Sequence, residues 1–202
     1  MIVVDIEASG LDFHSHSLLS IGAVDFSHPE NRFYGECRLI DGAGYTEEAL
    51  GVNGFTPEQI HDPDKQSAGD LLHEFIRWSN SIPDQTIAGH NTSFDRDFLQ
   101  ATADRFGIDW KVGFRTLDLH TLAYAHFLRS GLVPPTENRV STLNSETIMP
   151  YVGLPVEPKP HHGLTGAQME AEAFSRFIYG KNLLSEYASY PLPDYLVNLH
   201  TP

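Results

Sequence analysis

Residues 1–11, MIVVDIEASGL, decide the fold of this chain. The apolar run at residues 2–4 is typical of a buried central strand, which we predict from the start of the chain to Ile6. Because strand side chains alternate between the two faces of a sheet, Asp5 and Glu7 fall on the same face. Two carboxylates beside an apolar run are costly to bury unless they are paired or bind a metal ion. The pair therefore predicts either a metal site or a strand end that emerges into solvent, and taken alone it favours neither.

The rest of the chain predicts a mixed-sheet α/β domain, because three β runs are followed by alternating helices and strands. The predicted strands are Met1–Ile6, Leu18–Phe26, Arg32–Ile40, Thr86–Gly89 and Phe114–Leu117. The predicted helices are Asp70–Asn80, Ser93–Phe106, Asp118–Leu128, Ser141–Tyr151 and Leu164–Tyr179, with a short one that begins at Pro57 after the N-cap Thr56. Residues 131–138 are predicted to form a loop. Because no composition shift marks a strong boundary, we expect one domain at residues 1–182 and a tail at residues 183–202 that packs on it.

The composition disfavours several classes of protein. The 202 residues carry 13 Lys plus Arg against 27 Asp plus Glu, a formal net charge of −14. This balance disfavours a protein that coats duplex DNA through a basic face, but it allows an enzyme that holds one strand end through divalent cations. Cys37 is the only cysteine, which rules out an intramolecular disulfide and a zinc site built on thiolates. An apolar content of 41% with 20% charged residues argues against disorder.

The sequence also predicts where the protein resides. Its apolar runs are short and interrupted, so none is expected to span a membrane. The first predicted strand begins at once, and we expect no signal peptide before it. We therefore expect a cytoplasmic protein with no membrane partner.

Two further segments carry residues suited to chemistry. The first, GHNTSFD at residues 89–95, joins a predicted strand to a predicted helix and places Asp95 in the first helical turn. An acid at that position commonly stabilises the helix dipole, and for this segment alone that structural role is the simpler interpretation. The second, PHHGL at residues 160–164, places His161 and His162 before the last long helix. In isolation such a pair is often an ordinary surface feature.

Together and in this order, the three segments resemble the motifs of the DEDDh, or DnaQ-like, 3′–5′ exonuclease superfamily, which includes the proofreading epsilon subunit and RNase T. The segment DIEASGL at residues 5–11 is similar to the first motif of that family, which usually reads D-x-E-T-T-G-L. Residues 91–95 are similar to the second motif, and the whole resemblance covers residues 2–179. It implies a ribonuclease H-like fold, a mixed five-stranded sheet flanked by helices. It also implies an enzyme that removes nucleotides from single-stranded DNA or RNA 3′ ends.

The resemblance further implies which residues form the site. Asp5, Glu7 and Asp95 would bind two Mg²⁺ or Mn²⁺ ions, which prefer oxygen ligands. Asp5 would bridge both ions, Glu7 would hold one of them near the terminal 3′ hydroxyl, and Asp95 would serve the other partly through water. His161 would be the general base, because an imidazole titrates near neutral pH.

A second set of residues would contact the terminal nucleotide: Ala8, Ser9, Gly10, Leu11, Asn91 and Phe94. Backbone and small side chains of the first four would cradle the nucleotide. Leu11 and Phe94 would pack on the base, a contact that tolerates any base, although core packing is at least as good an interpretation of Phe94. Asn91 would either position a phosphate or cap the following helix.

The third motif departs from the family pattern, H-x-A-L-x-D-A. With His161 as the family histidine, Leu164 and Ala167 match, but Gly166 takes the position of the fourth carboxylate. The alternative register, from His162, places Ala167 at that position and loses the leucine match. Neither register supplies an acid, so this motif is matched only in part.

A missing fourth acid predicts a weakened metal site. Glu170 lies one helical turn beyond Gly166 on the same face, but we do not expect its side chain to reach the site. Glycine within a helix also costs about 1 kcal/mol relative to alanine, so Gly166 indicates a loss, either natural or introduced. We therefore predict a chain that binds 3′ ends but cleaves them poorly. The alternative is a non-catalytic module that binds nucleic-acid ends in a larger assembly. In either case a homodimer or a protein partner is a further prediction.

Overall fold

A central five-stranded sheet organises the structure, a computed structural model that describes residues 1–197. The strands are β1 (Ile2–Ala8), β2 (Leu18–Asp25), β3 (Arg32–Glu36), β4 (Ile87–Gly89) and β5 (Leu117–Asp118). They lie in the order β3-β2-β1-β4-β5, with β1 antiparallel to β2 and parallel to β4. The predicted mixed sheet of five strands is therefore confirmed.

Helices cover both faces of this sheet. They are α1 (Glu47–Asn53), α2 (Pro57–Ile60), α3 (Ala68–Ser79), α4 (Ser93–Phe106), α5 (Leu119–Arg129), α6 (Ser145–Tyr151), α7 (Gly163–Tyr179) and α8 (Asp194–Val197). The core on one face is built from α5, α6 and α7, and the core on the other face is built from α3 and α4. Within the described residues, none of the helices is both long and apolar enough to cross a membrane.

The side chains of β1 divide between these two layers. Val3 packs in the core cluster beneath α7, whereas Ile2 and Ile6 pack in the cluster formed with α3 and α4. Because strand side chains alternate, Asp5 and Glu7 share the face of Val3. The two acidic residues of the first motif therefore point toward the layer that contains α7.

Glycines bring the N-terminal end of α7 directly onto the sheet. A Cβ on Gly22 of β2 would lie 2.0 Å from the carbonyl carbon of Gly163, and a Cβ on Gly163 would lie 2.7 Å from the carbonyl oxygen of Asp5. No side chain fits at those distances, so only glycine allows this close approach of backbones. As a result, the first turns of α7 lie against the end of β1 that carries the acidic residues.

The sequence-based prediction missed helix α1 and a short hairpin. Helix α1 lies in a segment rich in Gly and Asp, and Thr46 begins it by accepting the N–H of Ala49 at 3.1 Å. Residues 131–138, predicted as a loop, contribute a strand to a hairpin of β6 (Thr136–Glu137) and β7 (Val140–Ser141). The turn of this hairpin places Asn138 and Arg139 at positive φ. The sequence has no glycine there that would predict such a turn.

Several predicted boundaries differ from those in the structure. Helix α6 begins at Ser145, not Ser141, because the Asn144 side chain caps it in a capping box. The third strand ends at Glu36, short of the predicted Ile40. The fifth strand was placed too early, since it pairs at Leu117–Asp118 and leaves Phe114 exposed.

A buried ion pair ties the segment after α7 to that helix. Arg176 Nε donates to Glu172 Oε1 at 2.8 Å, and both side chains are fully buried. Glu172 Oε2 accepts the backbone N–H groups of Leu183 and Leu184, each at 2.8 Å. The Arg176 guanidinium donates in turn to the carbonyl of Tyr190 at 3.1 Å. These contacts hold the chain that follows α7 against its C-terminal half.

The predicted tail at residues 183–202 is described in part. Its last residues, 198–202, lie outside the described part of the chain. Leu196 of α8 is fully buried in the core cluster that contains α7. The division into a domain at residues 1–182 and a tail stays a prediction.

Candidate active site

Side chains from distant parts of the chain meet in one cavity at the end of β1. We call this space, about 220 Å³ in volume, the acidic cavity. The titratable residues that line it are Asp5, Glu7, His90, Asp95, Glu157, His161 and Glu170. They come from β1, the loop before α4, the first turn of α4, the linker before α7, and α7 itself. The structure therefore brings together Asp5, Glu7, Asp95 and His161, the residues predicted from the sequence to be catalytic.

Asp95 is held in place by the neighbouring strand. It lies in the first turn of α4 and is buried, and its Oδ1 accepts the backbone N–H of Ile6 at 3.0 Å. Burial raises the pKa of Asp95 to about 7, although the Ile6 N–H opposes the shift. This carboxylate thus links α4 to β1, a role that the helix-dipole interpretation alone does not require.

The two acids of β1 lie in a strongly acidic environment. Burial raises the pKa of Glu7 to about 8, and the nearby carboxylates of Glu157 and Asp95 add to the shift. The pKa of Asp5 is raised well above its usual range by burial, and next by Glu170 and Asp95. Desolvation and like charges both disfavour the ionised form of a carboxyl group. Ionisation of all these carboxyl groups would therefore place more negative charge in the site than its surroundings compensate.

Within residues 1–197, neither Lys nor Arg forms an ion pair with Asp5, Glu7, Asp95 or Glu170. Buried charges in proteins are normally paired or coordinate a metal ion. These four carboxylates must therefore hold protons or attract a cation from solution.

This charge predicts an unusual pH dependence of stability when divalent cations are chelated. Glu7 and Asp95 are harder to ionise in the folded protein than in the unfolded chain, so the folded state binds more protons over the interval between the two pKa values. Stability must then fall as the pH rises from about 5 to about 8. If one group binds its proton ten times more tightly in the folded protein than in the unfolded chain, the free energy of unfolding changes by about 1.4 kcal/mol across this pH range. For a chain of this size, that change shifts the melting temperature by about 3–6 °C.

Thermal unfolding in chelator across this pH range tests the prediction. The variant Glu7→Gln is the matched control, because it removes one of the titrating groups and should flatten the curve. A melting temperature that stays constant or rises between the two pH values would contradict the assigned burial of these acids.

His161, not His162, is the histidine of the cavity. The Nδ1 atom of His161 lies 3.8 Å from Glu157 Oε2, and its backbone N–H donates to the carbonyl of Val52 at 2.9 Å. The ring of His162 instead stacks on Tyr34, with 4.2 Å between ring centroids. The geometry thus favours the motif register that starts at His161.

Glu157 is a site residue that sequence reasoning missed. It lies in the segment between α6 and α7, which the sequence marked only as a proline-rich linker. Its side chain is 11% exposed, and its Oε2 atom lies 3.8 Å from Nδ1 of His161 in the same cavity. Residues four apart are predictable neighbours only on a helix, and Glu157 and His161 lie in a linker. The path of the folded linker, not the spacing, brings the two side chains together.

The structure corrects the expectation that Glu170 stays out of the site. Glu170 lines the acidic cavity and is 6% exposed. Space for its carboxylate comes from Gly89 at the end of β4, where a Cβ would lie 3.3 Å from Glu170 Oε2. At Gly166 a Cβ would lie 1.8 Å from Asp5 Oδ2, so the Asp5 carboxylate fills the space above this glycine.

An apolar pocket of about 380 Å³ adjoins the acidic cavity. The two spaces share Ile6, Glu7 and Phe94 as lining residues. Ala8, Gly10 and Leu11, all predicted to contact the terminal nucleotide, line this apolar pocket, together with Ala49 and Val52 of α1. Leu11 is 83% exposed and so leaves much of its apolar surface free.

Ser9, also predicted to contact the nucleotide, does not line the apolar pocket. Its side chain is fully buried, donating to the carbonyl of Gly44 at 2.7 Å and accepting the N–H of Ser17 at 2.9 Å. A hydroxyl so placed fixes the loop and cannot touch a nucleotide. Phe94, by contrast, both borders the two spaces and packs on Phe98, with ring centroids 4.8 Å apart.

Asn91 lines the acidic cavity but does not cap α4. The N-cap of that helix is Thr92, whose hydroxyl donates to the carbonyls of Gly89 and Leu117, each at 3.0 Å. Asn91 itself has a positive φ of 55°, in the left-handed region, and accepts the hydroxyl of Ser93 at 3.4 Å. Of the two predicted roles, the helix cap is therefore wrong.

Sequence comparison finds relatives among nucleic-acid enzymes. Ribonuclease T of Haemophilus influenzae is 26% identical over 122 residues, which cover 53% of this chain and 52% of that protein. The PolC-type DNA polymerase III of Thermotoga maritima is 25% identical over 179 residues, which cover 88% of this chain and 12% of the polymerase. The chain thus spans about half the length of the ribonuclease T relative. No protein-family model matches the sequence.

Solved structures share the fold. The nuclease domain of 3′hExo, a DEDDh family member bound to rAMP, matches with a TM-score of 0.68 at 14% identity, covering 91% of this chain and 93% of that one. Exonuclease I of E. coli in complex with a dT13 oligonucleotide matches with a TM-score of 0.64 at 14% identity, covering 87% of this chain and 40% of that one. The fold is therefore the ribonuclease H-like fold of DEDDh nucleases. Sequence and structure together confirm the predicted resemblance to the DEDDh (DnaQ-like) 3′–5′ exonuclease superfamily.

Proposed function

We propose that this chain is a divalent-metal-dependent 3′–5′ exonuclease that removes nucleotides from single-stranded nucleic-acid ends. The observation that carries the proposal is the acidic cavity, where carboxylates from β1, α4 and α7 meet beside His161 and, within residues 1–197, pair with neither Lys nor Arg. The names of similar proteins support the same reaction. They include a ribonuclease and an exonuclease crystallised with an oligonucleotide.

The donor set of the cavity fits Mg²⁺ or Mn²⁺. Both ions prefer carboxylate oxygens to thiolates, and Asp5, Glu7 and Asp95 supply such oxygens. Glu170 Oε2 is buried and has no hydrogen-bond partner within the described residues, as expected of an atom that binds a cation. Among residues 1–197, no three acidic, His or Cys side chains already form a set that could hold a metal ion. Binding would therefore require the carboxylates to turn toward the ions.

Each residue has a defined task in this proposal. Bound cations would stabilise the negative charge that develops on the phosphate during hydrolysis. Asp5, Glu7 and Asp95 would hold these cations at the end of β1. His161 would accept a proton from the attacking water, with the Glu157 Oε2 atom 3.8 Å from its Nδ1.

The apolar pocket would receive the terminal base. Ala8, Gly10 and Leu11 offer backbone and apolar surface, a type of contact that suits every base. Asn91, on the wall of the acidic cavity, would position a phosphate. Binding along many phosphates requires many Lys and Arg contacts. Because the net charge is −14, the chain would bind the end of a strand rather than a long stretch of its backbone.

Several finer predictions from the sequence, including an alternative function, stand beside this proposal. Gly166 predicts poor cleavage, because the fourth family carboxylate is absent at that position. A non-catalytic end-binding module predicts binding without cleavage. A cytoplasmic location, and a homodimer or protein partner, likewise stay predictions.

A degradation assay on matched DNA and RNA oligonucleotides tests the proposal. The substrates carry a 5′ label and either a free or a phosphate-blocked 3′ end, and are incubated with Mn²⁺, with Mg²⁺ or with chelator. We expect stepwise shortening from the free 3′ end, lost in chelator and slowed by the block. Internal cuts or shortening from the 5′ end would overturn the proposal, and tight binding without cleavage would favour the end-binding module.

A further inference from the structure

We infer that Glu170 supplies the fourth carboxylate of this site, so that Asp5, Glu7, Asp95 and Glu170 together hold the cations. The inference rests on the proposed function and deepens it by adding a ligand from outside the family motif. It makes the site complete, whereas the motif alone predicts an impaired one.

Comparison of two buried glutamates on α7 shows why Glu170 needs a partner. Glu172 is fully buried, and its oxygens accept from Arg176 and from the N–H groups of Leu183 and Leu184. Glu170 is 6% exposed, and its Oε2 has no partner within the described residues. A buried carboxylate without compensation costs several kcal/mol. Both oxygens of Glu172 are thus partnered within the protein, whereas Glu170 has a backbone N–H of His90 near its carboxylate and leaves Oε2 free for a cation.

The space around the site explains why the acid lies at position 170. A Cβ at Gly166 would lie 1.8 Å from Asp5 Oδ2, so any side chain there must displace Asp5. Glu170 starts one helical turn further along the same face, and its side chain is one methylene longer than that of aspartate. Gly89 leaves its carboxylate room, because a Cβ there would come within 3.3 Å of Oε2.

Glu170 lies among the other acids of the site. It lines the acidic cavity together with Asp5, Glu7 and Asp95. Like charges in one buried cavity repel one another when no cation lies between them.

Calorimetric titration of the full chain with Mn²⁺ tests the assignment. Glu170→Gln keeps the shape of the side chain and removes its charge, and the matched control is Glu74→Gln, an exposed carboxylate on α3. We expect Glu170→Gln to weaken Mn²⁺ binding at least about tenfold and Glu74→Gln to leave it unchanged. In chelator, Glu170→Gln should melt no earlier than the wild type, because it removes a repelled charge.

The outcomes separate this assignment from the proposed function. If the wild type binds Mn²⁺ and cleaves 3′ ends, and Glu170→Gln does both equally well, Glu170 is not a ligand although the function stands. If Glu170→Gln melts much earlier in chelator, its role is structural and the assignment is overturned. If the wild type neither binds Mn²⁺ nor cleaves, the proposed function fails and the assignment falls with it.

A second variant, Gly166→Asp, tests the assignment by restoring an acid at the position of the fourth family carboxylate. We expect it to lower both Mn²⁺ affinity and cleavage, because the new side chain must push Asp5 out of place. A gain of about tenfold or more in both would overturn the assignment and support a site impaired by the loss at position 166. If this variant does not fold, the Glu170→Gln titration decides alone.

Discussion

Asp5→Asn is expected to reduce cleavage of a single-stranded 3′ end by at least about 100-fold. Loss of a residue that merely supports a metal ligand typically costs 10–100-fold, and loss of a direct ligand should cost at least as much. Asp5 is the most consequential choice, because Glu170, Asp95 and Glu7 all lie close enough to raise its pKa. The measurement is the initial rate on a labelled oligonucleotide at saturating Mn²⁺.

Two controls keep this result interpretable. Asparagine has nearly the shape of aspartate, so Asp5→Asn should stay folded, and its melting temperature in chelator should not fall. Asp109→Asn is the matched control, because Asp109 is exposed and follows the C-terminal end of α4, whereas Asp95 lies in its first turn. Cleavage by Asp5→Asn close to that of Asp109→Asn would refute a role for Asp5 in the chemistry.

Arg176→Met is expected to lower the free energy of unfolding by about 3–5 kcal/mol, the usual cost of removing one partner of a buried ion pair. The variant leaves Glu172 charged and fully buried. It also removes the donor to carbonyls of the segment after α7, among them that of Tyr190. For a chain of this size the change corresponds to about 6–20 °C in melting temperature.

Urea unfolding measures this effect directly. Arg77→Met is the matched control. The Arg77 side chain is 74% exposed, and its Nη2 atom lies 3.9 Å from Glu74 Oε1 in an ordinary surface pair. Such pairs contribute about 0–1 kcal/mol. Equal losses for the two variants would show that the Arg176–Glu172 pair does not stabilise the packing of the C-terminal segment.

Local patterns in the sequence predict much of the fold and part of the candidate site. Strand alternation places Asp5 and Glu7 on one face without any knowledge of the fold. The strand-to-helix transition around Asp95 is equally local, and the predicted bounds of α4, Ser93–Phe106, agree with the structure. The Thr56 cap with Pro57 at the first helical position is likewise confirmed. Each of these features depends on residues close together in the chain.

The features that sequence reading missed depend on tertiary contacts. Whether Glu170 reaches the cavity depends on how closely α7 approaches β1, and that distance is set by Gly22 and Gly163 on separate elements. Glu157 reaches His161 only through the path of the linker before α7. The Ser9 hydroxyl is withdrawn from the site by Gly44, which is far away in the sequence. A periodicity rule cannot supply such distances, because it describes one element at a time.

Glycine has a different meaning at position 166 once the neighbouring side chains are known. In the sequence it indicates a lost acid and a weakened helix. In the structure it leaves space that the Asp5 carboxylate fills. A catalytic position judged empty from a motif should therefore be checked for what occupies its space.

Anomalous diffraction from crystals of the full chain soaked with Mn²⁺ and a short single-stranded oligonucleotide is the most direct test of the central claim. We predict Mn²⁺ peaks in the acidic cavity, bounded by Asp5, Glu7, Asp95 and Glu170, with the 3′ end of the strand beside them. An acidic cavity without Mn²⁺ at saturating concentration, or a 3′ end bound elsewhere on the molecule, would contradict it.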